Sequence, residues 1–217
     1  MAQRNNSHTT TILNKDDTNI MTIPANNTNN SNAQSKPNTS RTNKHAAPST
    51  NNIRIATINV RTLQDDMKLA SIIKSAHRLG IDILSMQEVR RTGNGVFMFN
   101  DISLKGWQLI WSGHKRKRER GVVILIAPHV ELDDHTEHLQ AWVISATLVV
   151  KGMRLAILNV YSPTDCTKSD AAKSQFYSAL NKAKAQLNQT PSYKLITLGD
   201  WNATISAQSK SSGAWDS

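Results

Sequence analysis

The chain carries a single cysteine, Cys166, among its 217 residues. That excludes an intramolecular disulfide framework and any metal centre built from several thiolates. Aromatic residues are scarce, 5% of the total, and none precedes Phe97. Acidic residues are in deficit, 16 against 26 Lys and Arg, which gives a net charge of +10. No apolar run approaches the roughly 20 residues needed to span a bilayer. The N-terminus also lacks the charged-then-apolar design of a secretory signal. The expectation is an intracellular, reducing setting, no membrane partner, and a basic surface that favours polyanions.

What is present falls into two textures. Residues 1–51 are crowded with Asn, Thr, Ser and Gln, as in Asn26-Asn27-Thr28-Asn29-Asn30-Ser31-Asn32. Such a segment buries too little apolar surface to offset its ordering entropy, so it is read as a disordered tail. Five cations and two anions lie in it, so most of the positive charge belongs to residues 52–217. That second stretch is long enough for a substantial core.

From Ile53 the pattern alternates between apolar runs and amphipathic stretches. Ile53–Val60 reads as a strand, and Leu69, Ile72, Ile73, Ala76 and Leu79 follow helical spacing with Gly80 placed as a C-cap. Ile81–Met86 is a second short strand. Further strands are expected at Trp107–Trp111, Val122–Ala127, Trp142–Val150 and Arg154–Val160, with Lys151-Gly152 supplying hairpin turn chemistry. A helix from about Ser169 carries Phe176, Leu180, Ala183 and Leu187 on one stripe and is stopped by Pro191. The run Tyr193–Leu198 then leads into Asp200. Hairpins mixed with helical crossovers indicate an α/β layered sandwich with mixed sheets.

Four strand ends carry polar residues: Asn59, Glu88, Tyr161 and the pair Asp200/Asn202. In layered α/β folds such positions converge on a common crevice, although singly each is equally read as a turn or cap. The segments Thr57-Ile58-Asn59-Val60-Arg61-Thr62, Met86-Gln87-Glu88-Val89-Arg90-Arg91, Leu158-Asn159-Val160-Tyr161-Ser162-Pro163 and Leu198-Gly199-Asp200-Trp201-Asn202-Ala203 together resemble the endonuclease/exonuclease/phosphatase family. They are most similar to its branch in RTE-type non-LTR retrotransposons and craniofacial-development-protein-like sequences. That branch fits better than apurinic/apyrimidinic repair, whose members have Asp where this chain has Arg61.

The resemblance implies two mixed β-sheets flanked by helices, and Mg²⁺-dependent cleavage of a DNA phosphodiester, with Mn²⁺ as a substitute. It implies Glu88 as the metal carboxylate, with Asn59 supporting the metal and phosphate region. Asp200, helped by Asn202, would orient or deprotonate the attacking water, and Tyr161 would donate to the phosphoryl oxygen. Family members complete the site with a late Asp and a Ser-Asp-His-type segment, and the sequence ends at Ser217 before either. The expectation is therefore a domain incomplete at its C-terminus, with impaired hydrolysis. The alternative is a non-catalytic DNA-binding remnant or partial gene product.

Two other clusters stand out. His114–Arg120 (HKRKRER) reads as a phosphate-binding loop, a nuclear-localisation patch or a solvated hairpin tip. Lys115, Arg116, Lys117 and Arg118, with Arg90 and Arg91, are the candidate DNA contacts. His129, Glu131, Asp133, Asp134, His135 and His138 suggest a metal cluster, but lack the spacing that sets two histidines on one helical face around zinc. They are read as a polar loop before Trp142. Trp107, Trp111 and Trp142 are expected in the core rather than as base-stacking platforms, and Cys166 as an inert thiol.

Overall fold

The computed structural model describes residues 9–12, 18–24, 52–139, 141–164, 170–189 and 192–202. The elements, in chain order, are β1 (Thr9–Ile12), β2 (Thr18–Pro24), β3 (Asn52–Asn59), α1 (Asp66–Arg78), β4 (Ile83–Gln87), β5 (Asn94–Met98), β6 (Gln108–Ser112), β7 (Val122–Ile126), β8 (Glu131–Leu139), β9 (Val143–Val150), β10 (Met153–Tyr161), α2 (Asp170–Asn188) and β11 (Lys194–Asp200). They form two sheets, a seven-stranded one ordered β1-β2-β3-β4-β7-β6-β5 and a four-stranded one ordered β11-β10-β9-β8. Each sheet has one parallel pair, β3 with β4 and β10 with β11, and is otherwise antiparallel. The expected sandwich of two mixed sheets is what the chain forms.

The parallel pairs follow from the helices. A parallel neighbour requires a crossover, and α1 and α2 supply one each. Asp65 caps α1, its Oδ1 accepting from the Met67 amide at 2.8 Å. Gly80 closes the helix at φ +63°, with its amide bonded to the His77 carbonyl. Leu69, Ile73 and Ala76 of α1 join the main core with both sheets. Phe176, Leu180 and Ala183 of α2 form a second core with Trp142, Val143, Leu158 and Val160. Strand β10 therefore alternates, sending Leu155 and Ile157 into the main core and Leu158 and Val160 towards α2. β4 and β7 are buried at every position, as strands covered on both faces must be.

Three stretches differ from the sequence reading. Within the segment expected to be disordered, Thr18–Pro24 pairs antiparallel along the whole of β3, and Thr9–Ile12 pairs with it. Ile20 and Ile23 pack against the main core, and the β3 edge supplies a backbone ladder. An average over Asn-rich flanks conceals this short Ile-Met-Thr-Ile run; the rest of the tail lies outside the described residues. Glu131–Leu139, read as a loop, is the edge strand β8. Exposed Glu131, Asp133, Asp134 and His135 are suited to an edge, where charge discourages further pairing. Asn94–Met98, assigned to no element, is β5, an edge strand of the seven-stranded sheet.

Cys166 and Pro191 lie outside the described residues, as does the His138 side chain. Trp107 and Trp142 are buried, as expected, whereas Trp111 is only half-buried. Among the described residues no helix is long and apolar enough to cross a membrane.

Candidate active site

The strand ends singled out by sequence meet at one pole of the sandwich. Asn59 ends β3, Glu88 follows β4, Tyr161 ends β10, Asp200 ends β11, and Asn202 lies two residues beyond. The Asn59 Nδ2 group donates to Glu88 Oε1 at 2.9 Å and to Asp200 Oδ2 at 2.8 Å. One amide nitrogen thus joins a carboxylate from each sheet. The Asn59 Oδ1 accepts from the Arg61 amide at 3.0 Å, which fixes the orientation of the amide.

Each carboxylate has a further donor. Arg90 donates to Glu88 Oε2 at 3.1 Å, and the Asn202 amide donates to Asp200 Oδ1 at 2.9 Å. The Asn202 side chain also donates to the Ser162 carbonyl at 2.6 Å, while the Ser162 amide bonds the Asp200 carbonyl at 2.8 Å. Asn59, Glu88, Asp200 and Asn202 are therefore joined in one hydrogen-bonded network. The Tyr161 phenol lies within interaction range of Glu88, Asp200 and Asn202.

The electrostatics follow from these contacts. Burial pushes the Glu88 carboxyl up, but the Asn59, Arg90 and Tyr161 hydrogen bonds and the Arg90 charge outweigh it and hold the group below its ordinary value. Burial and the negative charges of Glu88 and Asp200 push the Tyr161 phenol up to about 12. Across the neutral range this site presents an ionised glutamate beside a protonated phenol.

The chain folds this way locally because several residues adopt left-handed backbone. Glu88, Arg90, Arg61, Asn202 and Arg120 have φ between 45° and 58°. Non-glycine residues pay for this conformation with strain, and such strain collects where side-chain direction matters. Here it turns Glu88 out of the β4 pleat and the Asn202 amide back onto Asp200.

Two residues that the sequence reading passed over hold the sheets in register beneath the site. Gln87 and Asn159 are buried, and Gln87 Nε2 donates to Asn159 Oδ1 at 2.7 Å. Asn159 Nδ2 in turn donates to the Met86 and Val123 carbonyls at 3.0 and 2.7 Å. Asn159 lies inside an apolar run, and Gln87 directly follows one. A polar residue so placed must find a partner when buried, and that was the available signal. Asn159→Leu is expected to cost about 2 kcal/mol by removing one acceptor of the Gln87 amide, which keeps Thr57, and the donor to two carbonyls. Chemical denaturation checks it, and a loss below about 0.5 kcal/mol would show that the bridge is not needed to join the sheets.

The basic candidates are divided by the fold. A cleft of about 260 Å³ opens beside Glu88, lined by Glu88, Arg90, Arg118, Glu119, Arg120, Trp142 and Tyr161 among others. A second depression of about 210 Å³ adjoins it and shares Arg90 and Arg118. Arg91 lines the second one, donating to the Leu63 carbonyl and pairing with Asp66 at 2.7 Å. Lys115, Arg116 and Lys117 are exposed and line neither. The acidic and histidine candidates disperse: His129 bonds Asp82 at 2.6 Å, and Asp133 accepts from Tyr193. Among the described residues no three His, Cys, Asp or Glu side chains cluster around one point.

No family model matches the chain. It is 28% identical over 156 residues to craniofacial development protein 2 of Bos taurus, and 27% identical to that of Tragulus javanicus. The match covers 71% of this chain, which spans only 25% of the length of those relatives. Among solved structures, a 3′-5′ exonuclease from Neisseria meningitidis matches with a TM-score of 0.50 at 28% identity, over 68% of this chain and 57% of that one. A Neisseria 3′ phosphatase bound to a product DNA hairpin gives 0.52 at 26%, over 70% and 59%. The catalytic domain of Xenopus laevis APE2 shares the fold at 17% identity, with a TM-score of 0.51 over 70% and 59%.

Proposed function

Because the chain has the endonuclease/exonuclease/phosphatase fold, we propose that it is a divalent-metal-dependent phosphodiesterase acting on DNA, of the endonuclease type that retroelements carry. One observation carries this reading: two carboxylates from different sheets converge on the Asn59 amide, beside a protonated tyrosine and a row of arginines. The Neisseria phosphatase bound to a DNA hairpin supports DNA as the polyanion.

The donors fit a hard cation. Mg²⁺ prefers oxygen and takes one or two carboxylates while keeping water and substrate oxygens. Glu88, ionised and only partly exposed, meets that description with Asn59 supporting it through its NH₂ group, and Mn²⁺ suits the same carboxylate. When bound, the cation neutralises phosphate charge and eases departure of the leaving oxygen.

The remaining work falls to the chain itself. Asp200 is held by Asn59 and the Asn202 amide, so its carboxylate is oriented to take a proton from attacking water. Asn59 is the clasp that keeps Asp200 and Glu88 at a fixed spacing. Tyr161 keeps its proton, so its hydroxyl can turn from Glu88 to donate to a phosphoryl oxygen as charge develops there. Arg90 balances Glu88 before substrate arrives.

The test is conversion of supercoiled plasmid to nicked circles by the purified chain in Mg²⁺. Nicking is expected with Mg²⁺ and not in excess chelator. Nicking that persists in chelator sinks the metal-dependent reading. Salt-sensitive DNA retention without nicking would instead identify a DNA-binding domain that lacks catalysis.

A further inference from the structure

Arg120 closes the basic stretch His114–Arg120 but was not named among its individual DNA contacts, and the fold sets it in the wall of the cleft. Its guanidinium lies 4.7 Å from the centroid of the Trp142 ring. Its backbone is left-handed at φ 58°, and its carbonyl accepts from the Arg90 amide at 2.6 Å. The next residue, Gly121, donates to the Ala141 carbonyl at 3.1 Å. The loop is thereby tied to the Glu88–Arg90 turn on one side and to the start of β9 on the other. Trp142 is 5% exposed, so its indole is a fixed backing rather than a surface for a base.

A guanidinium held over an indole keeps N–H donors that can form a fork to phosphate. The charge of Arg90 is committed to Glu88 at 3.1 Å. Arg120 has a longer ion pair, with Glu119 at 3.4 Å, and its side chain is one-quarter exposed towards the same cleft as Glu88 and Tyr161. We propose that Arg120, braced on Trp142, is the phosphate anchor of this cleft, setting how the DNA strand enters beside the carboxylates. The proposal rests on the reading of the cleft as a DNA site.

The experiment measures affinity for a fluorescein-labelled oligonucleotide in chelator, where no turnover occurs, and nicking in Mg²⁺ alongside it. Arg120→Lys keeps the charge and loses the stacked fork, so affinity should fall about ten-fold with an unchanged salt slope. Arg120→Gln should weaken binding further and reduce that slope by about one. Trp142→Phe should weaken binding less than either, with Arg120 and its charge retained. Thermal melting identifies any variant that fails to fold, and Arg120→Gln carries the test if Arg120→Lys does not fold. Affinity of Arg120→Lys within about two-fold of wild type overturns the proposal. A wild-type chain that binds in chelator but never nicks would sink the nuclease reading and leave the anchor standing. Nicking with unaltered Arg120→Lys binding would do the reverse, and no oligonucleotide binding by wild type overturns both.

Discussion

Glu88→Gln is expected to reduce Mg²⁺-dependent nicking by about three orders of magnitude while the domain stays folded. Glutamine keeps the shape of the side chain but loses the charge that a divalent cation requires. It also presents an NH₂ group where Asn59 and Arg90 both need an acceptor, at 2.9 and 3.1 Å. One oxygen of the amide can satisfy one of them. The same contacts fix the pH behaviour. The Glu88 carboxyl is held below its ordinary value in the fold, so its network is intact above the ordinary carboxylate range. Its contribution is lost only as pH falls through that lowered value. Activity should therefore be flat with respect to Glu88 across the neutral range, with its acid limb displaced downward. A variant that nicks within about ten-fold of wild type would remove Glu88 from the metal site.

Gly199→Ala is expected to cost about 4 kcal/mol, the largest stability loss of any substitution considered for this chain. Gly199 sits at φ +144°, and a Cβ there would lie 2.0 Å from the Val160 carbonyl oxygen and 2.8 Å from Val160 Cγ2. The nearest clash is with backbone, which cannot rotate aside. Val160 and Gly199 are register partners in the parallel β10–β11 pair, so relief requires the strands to part. The next residue is Asp200, and its distance to Asn59 would open with them. Urea denaturation measures the cost, and metal-dependent nicking should fall in parallel even at low temperature. A loss below about 1 kcal/mol would mean that β11 does not approach β10 as closely as described.

The polar strand ends were legible because a strand terminus is where periodicity breaks. Asn59, Glu88, Tyr161 and Asp200 each interrupt an apolar run, and layered α/β folds gather such interruptions at one pole. What those interruptions could not disclose is which amide holds which carboxylate. That depends on left-handed turns at Glu88 and Asn202, which leave no periodic trace. Gln87 and Asn159 were quoted within the family-like segments, Gln87 only as the end of its run and Asn159 as part of the run around it. Their role emerges only when the two sheets are superposed. Trp142 was read correctly as core, and that reading hid its partner, because a cation stacked on a buried ring is a long-range contact. The acidic stretch before Trp142 failed for another reason: an edge strand with charged side chains has a loop's composition.

Strand β2 makes β3 an interior strand, paired with β2 on one side and β4 on the other. Removing Thr18–Pro24 would therefore leave the strand that ends at Asn59 as an open edge available to another chain.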